Sequence, residues 1–275
     1  MYEKFSVLIS VYKNENPKYL ERAIESIYFE QILKPNEIIL VEDGPLTNKL
    51  YEVIETLKKK LKNILKIVKL EKNSGLGKAL EIGITQCSNE LIARMDSDDI
   101  SNKKRFKKQI ECFKKNKNLC IVGTNISEFI GDEKNIVSKR SVPEKDLEIR
   151  KYLKKRCPFN HVSVMLKKSA VIAAGSYKEM FWNEDYYLWI RMYSSEQKFY
   201  NIQEELVNVR IGKEMYRRRG GFKYFKSEFK LQNYMLEKNI IGRNQYLINI
   251  FLRFTIQVLL PSQVRGYIFK KFARY

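Results

Sequence analysis

Histidine is almost missing from this chain: His161 is the only one in 275 residues. The four cysteines, Cys87, Cys112, Cys120 and Cys157, contain no C-x-x-C pair. Zinc sites need several such donors at close spacing, so the sequence argues against one, and the thiols read as reduced and packed. Six prolines and twelve glycines, with no internal repeat, exclude low-complexity and fibrous classes. No uninterrupted apolar stretch approaches the roughly 20 residues of a membrane span. The opening MYEKFSVLIS runs into a strand-like pattern without a basic flank and apolar signal core. The expectation is a cytoplasmic protein that is not exported by the usual route.

Acid is the charge in deficit. Lysine and arginine number 52 against 32 aspartates and glutamates, a net charge of +20. That surplus calls for an anionic partner: nucleic acid, a phosphate-rich substrate or acidic lipid. Residues 210–275 hold fifteen Lys and Arg against three Glu, so +12 of the +20 lies in the last quarter of the chain. Helix-turn-helix, zinc and aromatic-strand RNA-binding motifs are absent, which argues against nucleic acid. After the first strand comes Tyr12-Lys13-Asn14-Glu15 in place of G-x-G-x-x-G, which argues against a dinucleotide oxidoreductase.

What is present is a regular alternation. Apolar, β-branched runs at 5–11, 37–41, 65–70 and 91–95 read as strands, and helical spacing follows each one. Asn16-Pro17 supplies an N-cap and a first-turn proline, and Asp43-Gly44-Pro45 marks a turn. The fourth helix, predicted from Ser101, buries Phe106, Ile110 and Phe113. Four strand–helix repeats define an α/β class with a mainly parallel sheet flanked by helices. Ligands bind such sheets where strands end and helices begin, and Tyr12 to Glu15, Asp43, Asn73 to Lys78 and Asp96 to Asp99 all sit there. Further on, 119–130 and 161–166 read as strands and 183–194 as a helix. The chain turns basic and helical beyond about Arg210, which divides it into 1–210 and 211–275.

Asp96-Ser97-Asp98-Asp99 puts three carboxylates in four residues directly after an apolar strand. Charges this close repel unless a cation neutralises them. Mg2+ and Mn2+ are hard ions that accept a few carboxylates together with substrate phosphates. A helix N-cap by Asp98 or Asp99 is the competing reading.

Taken in order, the segments SVLISVYKNE (6–15), ILVEDG (39–44), NSGLGK (73–78) and ARMDSDD (93–99) resemble the family 2 glycosyltransferases, inverting enzymes with the A-type glycosyltransferase fold. The resemblance covers about residues 5–220. Further segments, HVSVM (161–165), EDYYLWIR (184–191) and RRRGG (217–221), resemble a subgroup of bacterial O-antigen, capsule and exopolysaccharide enzymes. Two positions depart from the pattern: Val162 stands where proline usually follows the histidine, and Ser10 where the first strand often carries proline.

The resemblance implies a set of roles. Val11, Tyr12 and Glu15 meet the nucleotide, Asp43 its uracil, and Asn73, Lys78, Asp96 and Ser97 the rest of a UDP-sugar donor. Asp98, supported by Asp96, holds the Mn2+ or Mg2+. Asp185, beside Glu184, is the general base, ionised at neutral pH if its pKa is the ordinary value of about 4. Acidic residues in a first helical turn also serve the helix dipole, which is the alternative for that pair. His161 would orient acceptor or base, although a lone strand histidine is more often packed. Trp182 offers a sugar platform, and Trp189 belongs to the core. Arg217 and Arg218, with Arg219, would contact phosphate, or form a solvated basic surface.

The implied reaction moves a hexose from a UDP-glucose or UDP-galactose type donor onto a polyprenyl-diphosphate-linked GlcNAc or GalNAc and forms a β-linkage. It would take place at the inner face of the cytoplasmic membrane. A basic nucleic-acid-binding protein and a metal-dependent nucleotidyltransferase are the rival readings.

In 243–260 the polar residues Gln245, Asn249, Arg253 and Gln257 recur every fourth position in an otherwise mostly apolar run. That pattern fits a helix in an anionic membrane interface, helped by Lys270, Lys271 and Arg274, or a helix packed on the catalytic domain.

Overall fold

Strand β1 (Phe5–Val11), helix α1 (Pro17–Tyr28), strand β2 (Glu37–Glu42), helix α2 (Asn48–Leu61), strand β3 (Leu65–Lys69), helix α3 (Leu76–Gln86) and strand β4 (Leu91–Asp96) alternate along the chain as the sequence pattern requires. The computed structural model describes residues 3–194, 196–212, 220–261 and 264–265. Arg217, Arg218, Arg219, Lys270, Lys271 and Arg274 lie outside the described residues. Local chemistry sets the early helices. Asn16 Oδ1 accepts the Lys18 amide at 2.9 Å with Pro17 in the first turn, and Thr47 caps α2.

Strands β3, β2, β1 and β4 pair in parallel, in that spatial order. Successive residues of β1 point to opposite faces. Val7, Ile9 and Val11 join Leu20 of α1 and Leu50 of α2 in one core, and Leu8 joins Leu80 of α3 in the other. Because both faces are covered, these strands read as unbroken apolar runs.

The second half extends the same sheet. Strand β5 (Ile100–Ser101), helix α4 (Arg105–Lys115), strands β6 (Leu119–Phe129) and β7 (Ile136–Arg140), and helix α5 (Asp146–Leu153) come next. They are followed by strand β8 (Met165–Lys167), helices α6 (Lys168–Ala173) and α7 (Glu184–Met192), strand β9 (Lys198–Arg210), and helices α8 (Phe222–Glu237) and α9 (Arg243–Phe254). The sheet continues β4-β8-β6-β9-β5, with β7 on the far part of β6. β8 runs antiparallel to both its neighbours, and β9 runs parallel to β6.

Two sequence expectations need correction. The fourth helix begins at Arg105, because Ile100 and Ser101 are drawn into pairing with Asn208 and Val207 of β9. His161–Ser163 is a 3-10 turn, and the strand starts only at Met165. The Ser163 amide donates to Asn160 O at 2.8 Å, and Ser163 Oγ accepts the Thr124 amide at 3.0 Å. These bonds compete with strand pairing. After β9, helix α8 packs Leu231 and Met235 into the same apolar cluster as Leu8 and Trp189.

Candidate active site

Ser10 lies level with Asp96 and Val11 level with Glu42, so the C-terminal ends of β1, β2 and β4 form one rim. The turn after β1 is tied to the acidic turn after β4. Ser97 Oγ donates to Glu15 Oε2 at 2.6 Å, and the other Glu15 oxygen accepts the Asn16 amide at 2.7 Å. Tyr12 is exposed beside them. Val11 O accepts the Asp43 amide at 2.8 Å, which places Asp43 on the same rim.

The Asp43 carboxylate is engaged by the protein itself. It accepts the amides of Ser74 at 2.7 Å and Gly75 at 3.0 Å, and so holds the turn that leads into α3. Asn73 Nδ2 donates to Asp43 O at 3.3 Å. Gly44 has φ +84, and a Cβ there would lie 2.4 Å from the Asn73 nitrogen. Only glycine permits that approach. Asp43 and Gly44 therefore shape the 73–78 loop. Lys78 is exposed and pairs with Glu81 one turn on, at 2.7 Å.

Beneath the acidic turn lies a side chain that the sequence reading passed over. Arg94 is 3% exposed, and its Nη2 donates to Asp96 Oδ1 at 2.5 Å. Among the described residues its Nε and Nη1 find no hydrogen-bond partner. Burial disfavours its charge, but Asp96, with help from Tyr177 and Asp99, more than offsets that and raises its pKa. Asp98 is pushed up to about 7 by burial first, then by Asp96 and Glu15. Asp99 is fully buried and raised well above the carboxylate range by burial and by Asp98, although it accepts the Arg210 amide at 2.8 Å. Arg210, at the end of β9, also donates from Nε to Asp98 O at 3.1 Å and stacks its guanidinium over Tyr19 and Phe129. β9 thus fixes the shape of the acidic turn.

Helix α7 brings the second pair of acids to the same place. Glu184 is raised to about 7 by burial and by Asp185, with a smaller contribution from Asp96. A Cβ on Gly77 would lie 3.3 Å from Glu184 Cβ, so the first turn of α3 and α7 touch. Asp185 is raised by burial, while the Tyr186 amide, Arg94 and Arg140 pull it down. The ordinary value of about 4 assumed for it from sequence does not hold in this environment. Cys157 Sγ donates to Asp185 Oδ2 at 3.7 Å.

His161 Nε2 lies 2.8 Å from Tyr177 Oη, and its ring packs edge-on to Trp189. Burial and the neighbouring Arg94 hold His161 well below its usual pKa, so it is neutral. Trp182, two residues before α7, is exposed at φ +60, a strained backbone for a bulky side chain.

The structure therefore gathers Glu15, Ser97, Asp96, Asp98, Glu184 and Asp185 around one rim, with His161 packed behind them. Asp43 and Asn73 support the adjoining loop, and Lys78 is ion-paired on the surface of α3. Arg94, Cys157, Tyr177 and Arg210 complete the site. Arg94 carried one signal, a lone charge inside the apolar strand 91–95. The other three carried none. Among the described residues no three His, Cys, Asp or Glu side chains are arranged to enclose a metal ion. The uncompensated charge at Asp98 nevertheless suits a hard cation whose remaining ligands come from a substrate diphosphate.

The Glycosyl transferase family 2 model matches residues 6–181. The chain belongs to glycosyltransferase family 2 and is a glycosyltransferase enzyme. It is similar to the UDP-Gal:alpha-D-GlcNAc-diphosphoundecaprenol beta-1,3-galactosyltransferase of Escherichia coli, with 39% identity over 98% of this chain and 97% of that protein. It is also similar to the amylovoran biosynthesis glycosyltransferase AmsE of Erwinia amylovora, with 37% identity over 97% of this chain and 98% of that protein. Residues 1–349 of S. aureus TarS in complex with UDP-GlcNAc superpose with a TM-score of 0.69 at 17% identity, covering 98% of this chain and 76% of that one. The fold is the A-type glycosyltransferase fold.

Proposed function

We propose that this enzyme transfers a hexose, galactose first among the candidates, from a UDP-sugar to a polyprenyl-diphosphate-linked N-acetylhexosamine, with inversion to a β-linkage, in the assembly of a bacterial surface polysaccharide. The observation that carries the reading is the convergence of two acidic groups from distant parts of the chain, Asp96–Asp98 and Glu184–Asp185, over buried Arg94. The named activity of the 39%-identical E. coli relative supports the choice of sugars and of a diphosphate-lipid acceptor. The cytoplasmic membrane face follows from that acceptor.

Inversion needs a stabilised leaving diphosphate, a deprotonated acceptor hydroxyl and in-line placement. Mg2+ or Mn2+ held by Asp98 and Asp96 supplies Lewis-acid stabilisation of the diphosphate when bound. Glu15 and Ser97 position the acidic turn, and Asp43 with Gly44 positions the 73–78 loop against the nucleotide. Asp185 takes the proton of the acceptor hydroxyl, and Cys157 holds one of its oxygens so that the other is free for that work. Glu184 stands at the contact between the first turn of α3 and α7, and Trp182 offers a ring face to the acceptor sugar.

The test is UDP release from UDP-galactose, UDP-glucose and UDP-N-acetylglucosamine, with and without a short-chain lipid-diphosphate GlcNAc acceptor, in Mn2+ and in EDTA. The expected result is acceptor-dependent release of UDP that EDTA abolishes, with an alkali-stable β-glycoside as product. Release of pyrophosphate from a nucleoside triphosphate would instead identify a nucleotidyltransferase, and a silent panel would refute the donor class.

A further inference from the structure

Helix α9 is amphipathic with its polar side turned inward. Asn249, 3% exposed, donates to Lys154 O at 2.9 Å and Gln232 Oε1 at 2.7 Å, and accepts from Gln245 at 2.7 Å. One turn later Arg253 pairs with Glu228 at 2.6 Å and donates to Lys155 O at 2.8 Å. One turn further, the buried Gln257 takes the Gly221 amide and Arg265 Nη1 on its carbonyl. The side chains of Asn249 and Arg253 are therefore consumed by contacts within the protein, and Gln257 is buried on the same side.

The cost of that orientation is borne on the opposite face. Leu247 is 63% and Phe251 69% exposed, and Ile248, Leu252 and Leu259 also face outward. Residues 247 and 251, like 248 and 252, stand one above the other on a helix, so these side chains form one patch. It continues onto α8 through a row of rings, Phe222, Phe225 and Phe229, which meets Phe254 and Tyr246 of α9. Lys223, Lys226 and Lys230 are exposed along α8 beside that row. From Lys238 to the end, the sequence contains seven Lys and Arg and no acid. The patch also adjoins the active site. Asn183 Nδ2, next to Glu184, donates to Ser227 Oγ of α8 at 3.2 Å, and Lys223 Nζ lies 4.2 Å over the ring of Phe181, next to Trp182.

We infer that the outward face of α9, with the adjoining edge of α8, is a docking surface for an anionic lipid bilayer, which sets the mouth of the active site against the membrane. This rests on the reading of the acceptor as lipid-borne, and it names the surface that reading requires. Leu247, Ile248, Phe251 and Leu252 enter the boundary between headgroups and acyl chains, and the α8 lysines meet headgroup phosphates. The helix lies in the interface: α9 is about 18 Å long, against roughly 30 Å of hydrocarbon, and among the described residues no helix is long and apolar enough to cross a membrane. A second copy is a poorer occupant, because an isologous contact would bring two basic patches together.

The test uses the full chain and co-sedimentation with neutral phosphatidylcholine vesicles or vesicles carrying about a third phosphatidylglycerol. The wild type is expected to pellet with the anionic vesicles and to be released as salt rises from about 0.1 to about 0.5 M. The double variant Leu247→Glu, Phe251→Glu alters only exposed positions and should keep the wild-type melting temperature. It should lower vesicle partition at least about a hundredfold, each lost apolar side chain being worth roughly tenfold or more.

UDP release onto a water-soluble acceptor analogue should be unchanged by the variant. Wild-type indifference to anionic vesicles, equal binding by the variant, or a solution dimer that the variant dissociates would each overturn the inference. Vesicle binding and UDP release fail separately. Binding through α9 without UDP release from any sugar nucleotide defeats the proposed reaction alone, whereas UDP release without vesicle binding defeats this surface alone.

Discussion

Asp185 has few donors around it: Cys157 Sγ at 3.7 Å, its own helix's Tyr186 amide, and the Arg94 and Arg140 guanidiniums as positive neighbours. Burial outweighs them and keeps its proton affinity above the usual carboxylate range. A base poised nearer neutrality shares the proton better in a transition state. Asp185→Asn preserves size and removes that base. Acceptor-dependent UDP release should fall by about 10² to 10⁴, with donor affinity by calorimetry nearly unchanged; turnover within a few-fold of wild type would remove Asp185 from the role. Arg94 is read through a different measurement. Arg94→Met deletes the buried cation that favours ionised Glu184 and Asp185. The acid limb of the kcat/KM profile should then move to higher pH. A slower enzyme with an unmoved limb would mean that Arg94 only fills space.

At the scale of elements, α9 inverts the usual assumption that a helix hides its apolar side. Its inward contacts come from Asn249 and Arg253, whose partners belong to α8 and to residues 154 and 155. Asn249→Leu strands the Lys154 carbonyl and Gln232 and should cost about 1–3 kcal/mol, seen as a lower melting temperature. Leu247→Gln, on the exposed face, should change stability by less than about 0.5 kcal/mol. A helix buried in the ordinary sense would give the reverse ranking. The loop at 73–78 is likewise held from outside, by Asp43 on its amides and by the close approach of Gly44.

For the molecule as a whole, the acids of the site work against folding at neutral pH. Asp98, Asp99, Glu184 and Asp185 all bind a proton more tightly when folded than the roughly 4 of an unfolded chain. The folded state therefore gains stability as pH falls through about 7, to which Asp98 and Glu184 are both raised. In EDTA the melting temperature should rise from pH 8 to about 6.5. Below that, His161 acts in the opposite direction, because it is buried neutral while the unfolded chain takes up its proton. In strong acid, Glu37, held at about 2 despite burial by Lys66, Ser6 and Ser88, loses its contribution too. Melting temperatures that fall steadily from pH 8 to 6.5 would show that the acidic cluster is relieved in some other way.

Elements whose signals are local were legible in the chain alone. The β1–β4 alternation, the Asn16-Pro17 cap and the placement of Asp43, Asp96 and Asp98 at strand ends all follow from periodicity, capping and turn chemistry within a few residues. The same local signals put Glu184 and Asp185 in the first turn of a helix. What faces what is set by packing between distant segments. Arg94 lies under two acidic pairs from distant parts of the chain because β4 and α7 meet there, and Cys157 reaches Asp185 because the loop after α5 packs against the start of α7. The polar stripe of α9 has the same spacing whether it meets water or buried carbonyls. A periodic pattern specifies which side chains share a face, and the direction of that face depends on partners contributed by the rest of the chain.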